Sequence, residues 1–502
     1  MLDRKLNEKI LTYIDAGFPI IYINTFEEDK IDKILLSGEL RRLYRYHEWN
    51  GAKGGVYFET KKQWGLDSSI QSFLDYFISS PEELDRTILV IKDIVPYLDD
   101  PEVVARLKEI VRLINNGADA CIIIVSETVK IPKELEKYIT VLETSYLTVD
   151  EIKEIINSFL SEYDLGTINE ELLEKFSVSF KGLSEFEILN ILALAYSNDG
   201  EFTESDLQIV MEQKRQAIKK GGVLDMVSVK ETIDDIGGLD NLKKWLENKA
   251  KVFKNYRQAK EYGVDTPKGL LIVGVPGCGK SLTAKATAAM FGMPLLRLDM
   301  GRLLGKYVGE SEENMRRAVA LAEAVSPCIL WIDELEKAFA GIGGNGEGSE
   351  VTTRLFGSFL SWMQEKTSPT FVVATANDIT KLPPELLRKG RFDEIFFVDL
   401  PNKEERKAIF DIHIKRRREK DYPQIKEGID ELVKSTEGYS GADIEGVVSE
   451  AVEEAFVSGE ELTIEKIKGV IDKSIPLSRT MKEALEKMKK EYSNRNIKNA
   501  TK

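Results

Sequence analysis

The stretch Gly274-Val275-Pro276-Gly277-Cys278-Gly279-Lys280-Ser281 constrains this chain more than any other. Its spacing, G-x-x-x-x-G-K-[ST], cradles phosphates when it joins a strand to a helix. Both partners are present. Leu270-Leu271-Ile272-Val273 is β-rich, and a helix-forming run opens at Leu282. The glycines let backbone N–H groups curl around phosphate oxygens with no Cβ in the way. The positive end of the helix dipole faces the same oxygens. In such a loop Lys280 neutralises β- and γ-phosphates and Ser281 ligates Mg2+.

The elements around this loop occur twice. After it come the strand-like Pro294-Leu295-Leu296-Arg297-Leu298, a helical pattern over 311–324, and the apolar runs 328–332 and 371–374. Continuous apolar runs describe parallel strands covered on both faces. From about residue 401 the pattern is helical. The first half has the same order. Residues 19–24, 87–91 and 121–125 are apolar runs with helical patterns between them, and 147–218 is wholly helical. Thr148-Val149-Asp150-Glu151 is a capping box that opens the latter stretch. Ile131-Pro132-Lys133-Glu134-Leu135 in one half faces Leu382-Pro383-Pro384-Glu385-Leu386 in the other. The expected fold is α/β, with two tandem modules. Each is a parallel-sheet core followed by an all-helical subdomain: 1–146 with 147–218, and 231–400 with 401–478. Residues 219–230, with Gly221-Gly222, are expected to link them. The lysine-rich 479–502 is expected to be a solvated basic helix fading into disorder, or a docking site for an acidic partner.

The first module has the fold without the phosphate chemistry. Its first strand runs into Asn24-Thr25-Phe26-Glu27-Glu28, with no glycine and two carboxylates where phosphates would sit. Its counterpart of the metal-binding strand ends Lys92-Asp93, a cation where Mg2+ needs an anion. In the second module, Cys328-Ile329-Leu330-Trp331-Ile332-Asp333-Glu334 has the required form. Asp333 is expected to hold the Mg2+ shell and Glu334 to polarise the attacking water. Phosphoryl transfer needs positioning and charge neutralisation more than covalent chemistry. Asn377, after the strand 371–376, either hydrogen-bonds the γ-phosphate or its water, or is a turn residue. Arg388 and Arg391 flank Gly390. One of them reaches a neighbouring subunit's γ-phosphate, or both pair with Asp393 or Glu394.

Residues 231 to about 475 resemble the AAA family of ATPases. The resemblance rests on Asp235-Ile236-Gly237-Gly238-Leu239, the phosphate loop, the strand ending Asp333-Glu334, Asn377 and Leu386-Leu387-Arg388-Lys389-Gly390-Arg391-Phe392-Asp393, in that order. Gly438-Tyr439-Ser440-Gly441-Ala442-Asp443-Ile444 matches the family's lid motif. Residues 351–366, with the degenerate first module, are most similar to the AAA proteins encoded in cyanobacteria and algal plastids. The resemblance implies ATP and Mg2+ as cofactors. It places Asp235, Gly237, Ile409 and His413 around the adenine, and Gly441 and Ala442 near the nucleotide from the lid. It makes Arg388 the trans-acting finger, with Arg391 beside it. By its own chemistry, His413 on an apolar helix face is more often a packed core histidine. The resemblance also implies a ring, a hexamer, whose pore is lined by Lys306, Tyr307, Val308 and Gly309. There Tyr307 grips an extended polypeptide, unless it packs at a subunit or domain interface. Residues 341–348 stand where a second pore loop would be, with a composition that favours flexibility.

Composition sets the outer limits. The 502 residues carry 85 acidic and 70 basic side chains, a net charge of -15, which disfavours non-specific nucleic-acid binding. No apolar stretch approaches the ~20 residues of a membrane span. The charged Met1-Leu2-Asp3-Arg4-Lys5 is unlike a signal peptide. Cys121, Cys278 and Cys328 have no metal-ligand or disulfide spacing, which fits a reducing cytoplasm. The expected function is an ATP-driven motor that remodels a protein substrate. The alternative is a nucleotide-dependent switch or scaffold that threads nothing. A motor needs Tyr307 for remodelling and not for ATP turnover; a switch needs it for neither.

Overall fold

The computed structural model describes residues 4–25, 27–65, 67–303, 310–338, 347–495 and 497–501. The chain forms two compact units, 1–207 and 208–502.

The first unit holds a six-stranded sheet: β1 (Ile20–Asn24), β2 (Arg45–Asn50), β3 (Gly54–Tyr57), β4 (Thr87–Lys92), β5 (Ala120–Ser126) and β6 (Ile139–Glu143). The order is β3-β2-β4-β5-β1-β6, parallel except for the β2–β3 pair. Alternate residues of β1 serve opposite cores. Ile20 and Tyr22 pack on one face, Ile21 and Ile23 on the other. That double coverage explains why the strand reads as an unbroken apolar run. Three helices follow, Val149–Glu162, Glu170–Phe180 and Glu185–Asp199, the first opened by the expected Thr148–Glu151 capping box.

The second unit holds β7 (Leu224–Val227), β8 (Gly269–Gly274), β9 (Leu295–Leu298), β10 (Cys328–Ile332), β11 (Thr370–Ala376), β12 (Glu394–Val398) and β13 (Lys498–Asn499). The order is β13-β12-β8-β11-β10-β9-β7. Its five central strands, β9-β10-β11-β8-β12, reproduce β2-β4-β5-β1-β6 of the first sheet. Each set carries an antiparallel strand, β7 or β3, at the corresponding edge. The tandem α/β architecture is therefore present at the level of strand order. Leu270 and Ile272 of β8 face one core and Leu271 and Val273 the other. The lid helices Lys403–Arg418, Ile429–Ser435, Gly441–Ser458 and Ile464–Lys473 enclose a separate core around Phe410, Ile414 and Val448.

Two segments differ from expectation. The linker contains β7, whose Leu224 and Met226 alternate into the core and pair with Leu298 and Leu296 of β9. The described residues of the tail 479–502 do not fade into disorder. The helix Lys482–Asn494 buries Leu485 and Tyr492, and Tyr492 stacks on Phe397 at 4.0 Å. Beyond it β13 pairs with β12, and Ala500 is fully buried. Its N–H donates to Phe397 O, and its carbonyl accepts from Asn241 N and Leu242 N. The lysines occupy the other faces of that helix, so its net charge conceals the apolar stripe. The expected pore residues Lys306, Tyr307, Val308 and Gly309 lie outside the described residues, as do 341–346.

Candidate active site

β8 lies between β11 and β12, where the chain's crossovers change side of the sheet. In open α/β sheets ligands bind in the crevice beyond the strand ends at that point. Here β8 delivers the phosphate loop. Gly274 lies against β12, where a Cβ would stand 2.0 Å from Val398 O, so only glycine fits. Gly277 has φ +74° and touches Ala442 of the lid, whose N–H donates to Gly277 O at 2.9 Å. The helix Lys280–Phe291 starts at the loop's end and aims its N-terminal amides into the crevice.

The crevice is a cleft of about 470 Å³. Of the expected nucleotide contacts, Pro276, Gly277, Cys278, Gly279, Lys280, Ser281 and Leu282 line it. Asp235, Gly237, Ile409, His413, Gly441 and Ala442 line it too, as do Asp333, Glu334 and Asn377. Gly274 and Val275 do not; their carbonyls accept hydrogen bonds from Lys280 Nζ at 2.9 and 2.8 Å. Three segments far apart in the chain, 235–239, 276–282 and 409–445, thus meet around one volume. His413 forms part of the wall, with Nδ1 3.1 Å from Arg417 and 3.8 Å from Glu445. Burial, the largest influence, pushes it below the ordinary histidine value.

The acid end is tightly connected. Ser281 Oγ donates to Asp333 Oδ1 at 3.0 Å. Thr375 Oγ1 donates to the same oxygen and accepts from Glu334 N at 3.1 Å. Glu336 Oε1 accepts from Asn377 N at 3.0 Å. Glu334 has φ +52°, in the left-handed region that non-glycine residues seldom adopt. Its carboxylate meets Lys337 at 2.7 Å in an exposed ion pair, an interaction of little strength in water. A hydroxyl beside one carboxylate fits Mg2+, which keeps several waters and shares its remaining ligands with phosphates. Ser281 and Asp333 would hold it.

Arg388 is exposed and does not line the cleft. The Arg391 guanidinium donates to Glu385 O. Among the described residues neither arginine is ion-paired. Asp393 instead accepts from Lys268 N and Gly269 N, and Glu394 pairs with Lys498. Surface pairing with those two acids is therefore not what holds the arginines.

Lys280 is 7% exposed, and burial pulls its ammonium down to about 8. A phosphate anion restores the charged form. ATP affinity is expected to fall as pH rises through about 8, and binding near that pH is expected to take up a proton. Isothermal titration in buffers of different ionisation enthalpy checks this; a binding heat independent of buffer would contradict it.

The corresponding place in the first unit is filled by the protein itself. Lys92 Nζ, nearly buried, lies 2.9 Å from Asp32, 3.5 Å from Glu48 and 3.6 Å from Glu28. Lys61 also pairs with Asp32 and Glu48. Burial lowers the Lys92 value, but Asp32, with Glu48 and Glu28, more than offsets this and holds it above the ordinary lysine value. Glu27, in the loop after β1, accepts a hydrogen bond from Glu185 N at 2.9 Å, at the start of the helix Glu185–Asp199. Burial raises its value above the ordinary carboxylate.

Several site residues carry no motif of their own. Thr375 and Glu336 belong to the acid network. Glu405 accepts from Leu239 N at 3.0 Å and from Thr501 Oγ1 at 2.7 Å, tying together the cleft's entry, the lid and the segment after β13. A threonine closing an apolar strand face, and the Asn402–Glu405 capping box, are the signals that mark two of them.

Comparison with known proteins agrees with this geometry. Residues 270–400 match the ATPase family associated with various cellular activities (AAA), and 428–466 match its AAA+ lid domain. Residues 6–144 and 150–221 match the N-terminal and second domains of SpoVK-like AAA ATPases. The chain is 38% identical over 476 residues to the uncharacterized AAA domain-containing protein ycf46 of Pyropia yezoensis, spanning 95% of each. The chain belongs to the AAA ATPase family. It is also 38% identical over 480 residues to the ycf46 protein of Guillardia theta, covering 95% of this chain and 92% of that one. The expected similarity to AAA proteins of algal plastids thus extends over both modules. A narrower similarity, 34% over 263 residues, is to the cell division cycle protein 48 homolog of Archaeoglobus fulgidus, covering 51% of this chain and 35% of that one. Among the described residues no helix is long and apolar enough to cross a membrane.

Proposed function

We propose that this protein is a Mg2+-dependent ATPase that acts as a homo-oligomeric ring, a hexamer, and remodels a protein substrate in the cytoplasm. One observation carries the reading: Lys280, Ser281, Asp333, Glu334 and Asn377 converge on a single cleft while Arg388 stands free of it. A site with its own cation, metal ligands and water-polarising carboxylate, and with a spare arginine facing elsewhere, suits hydrolysis completed by a neighbour. Similarity to a relative named as the ATP-dependent zinc metalloprotease FtsH 2 of Salinibacter ruber supports a protein substrate.

In this mechanism the loop amides and Lys280 hold the β- and γ-phosphates, and the 409–413 face of the lid packs against the base. Mg2+, when bound with the nucleotide, neutralises charge developing on the phosphate oxygens. Glu334 orients and polarises the water, and Asn377 steadies it against the γ-phosphate. Arg388 of a second copy neutralises the transition state. Residues 306–309 couple that cycle to the polypeptide.

Glu334→Gln tests the assignment. It is expected to bind ATP with near-normal affinity, to lose about 10²–10⁴-fold in turnover, and to sediment with ATP as a hexamer. Turnover close to wild type would remove Glu334 from its role. A monomer saturated with ATP would remove the ring.

A further inference from the structure

We propose that Thr375 is a positioning residue for hydrolysis. Its hydroxyl sets the Asp333 carboxylate and the Glu334 backbone in register with the phosphate loop. The inference rests on the ATPase reading and adds a residue to it.

The strand β11 places Thr375 where this is possible. Phe371, Val373 and Thr375 share one face of the strand, and the first two are buried apolar residues. Thr375 is 1% exposed, so its hydroxyl needs partners within the protein. β10 pairs with β11 up to Ile332↔Ala374, so the next residue, Asp333, comes level with Thr375 as the chain turns away from the sheet. The hydroxyl is used in both directions. It donates to Asp333 Oδ1, the oxygen that also accepts from Ser281, and it accepts from Glu334 N. The amide it holds belongs to the residue with φ +52°, a conformation that costs a non-glycine residue and persists only when its surroundings fix it. One hydroxyl thus orients the metal-side carboxylate and pins the strained turn from which the water-polarising carboxylate projects.

The first unit supplies a natural comparison within the same chain. There β4 and β5 pair Ile91↔Ile124 and Lys92↔Val125, in the register of Ile332↔Ala374. Lys92 therefore corresponds to Asp333, and Val125 to Thr375. Asp93 corresponds to Glu334 and keeps the same left-handed turn, φ +56°. The turn survives in both units, while the hydroxyl is present only where a metal-binding carboxylate stands beside it. A purely structural need for threonine at this point would apply equally to both strands. Valine has nearly the same shape as threonine, and it fills the position in the unit whose Asp is replaced by lysine.

The test compares Thr375→Val, which keeps the shape and loses the hydroxyl, with Thr375→Ser, which keeps the hydroxyl and loses the methyl. Wild type and Glu334→Gln are run in parallel. Thr375→Val is expected to bind a fluorescent ATP analogue within about threefold of wild type and to lose about 10–100-fold in kcat, the usual cost of removing an outer-shell partner. KM should change little. Thr375→Ser should keep kcat within about threefold. In the nucleotide-free protein, hydrogen exchange at the Glu334 amide should quicken in the valine variant and not in the serine variant, a readout independent of turnover. The proposal is overturned if Thr375→Val retains wild-type kcat, or if serine and valine lose equally, which would mark a packing role. Should the valine variant fail to fold, Thr375→Ala against Thr375→Ser makes the same comparison, and equal losses again overturn it. If wild type itself shows no turnover above Glu334→Gln, the ATPase reading fails, and the exchange result alone then judges the brace.

Discussion

Arg388→Ala is expected to lower ATP turnover by about 10³–10⁵-fold, the range of an arginine finger, while leaving ATP affinity nearly unchanged. The argument is one of placement. Arg388 follows the short turn Pro384–Leu387, is exposed, and stands apart from the cleft of its own chain. Its loss therefore removes nothing from nucleotide binding in that chain. Arg391, whose guanidinium donates to Glu385 O of its own chain, is less free to reach outward. If Arg388 acts between copies, mixing Arg388→Ala with Lys280→Ala protein should restore part of the activity. A wild-type Lys280 site would then meet a wild-type Arg388 in some mixed pairs. Absence of any rescue, with both variants folded and assembled, would place Arg388 in cis or outside catalysis.

Lys92→Ala is expected to destabilise the first unit by about 3–5 kcal/mol, the usual consequence of removing one partner from a buried ion pair. Asp32 and Glu48 would be left facing each other with only Lys61, itself more exposed, to compensate. Asp32 Oδ1 already lacks a hydrogen-bond partner among the described residues, which leaves the cluster little slack. Hydrogen exchange followed through β1 and β4 isolates this unit from the rest of the chain. A loss under about 1 kcal/mol would mean that water reaches the cluster freely. ATP affinity in residues 208–502 serves as the control, since none of the groups involved lines the cleft.

The sheets are legible in the sequence because each central strand is covered twice, and double coverage leaves an unbroken apolar run such as 121–125 or 328–332. The phosphate loop and its acid strand are legible because their chemistry tolerates few residue types. Edge elements are harder to see. β7 is four residues long and alternates, Leu224 and Met226 inward, within a stretch marked by two glycines. β13 has two residues and is recognisable only from its partner. The helix Lys482–Asn494 hides Leu485, Met488 and Tyr492 among lysines. In the site, residues acting through hydrogen bonds to backbone, such as Glu336 and Thr375, carry no spacing rule. Their partners lie about 40 residues away in the chain, and only the register of β10 against β11 brings them together.

The Glu27–Glu185 hydrogen bond has a mechanical consequence. In the second unit, the phosphate loop and lid embrace a space that a guest can enter and leave, so their separation can follow the guest's chemistry. In residues 1–207 the same two parts are already fastened by a side chain that is never released as product. This contact is made by the protein's own carboxylate and involves no nucleotide. If the second unit opens and closes with its nucleotide, residues 1–207 keep this contact with no ligand to release.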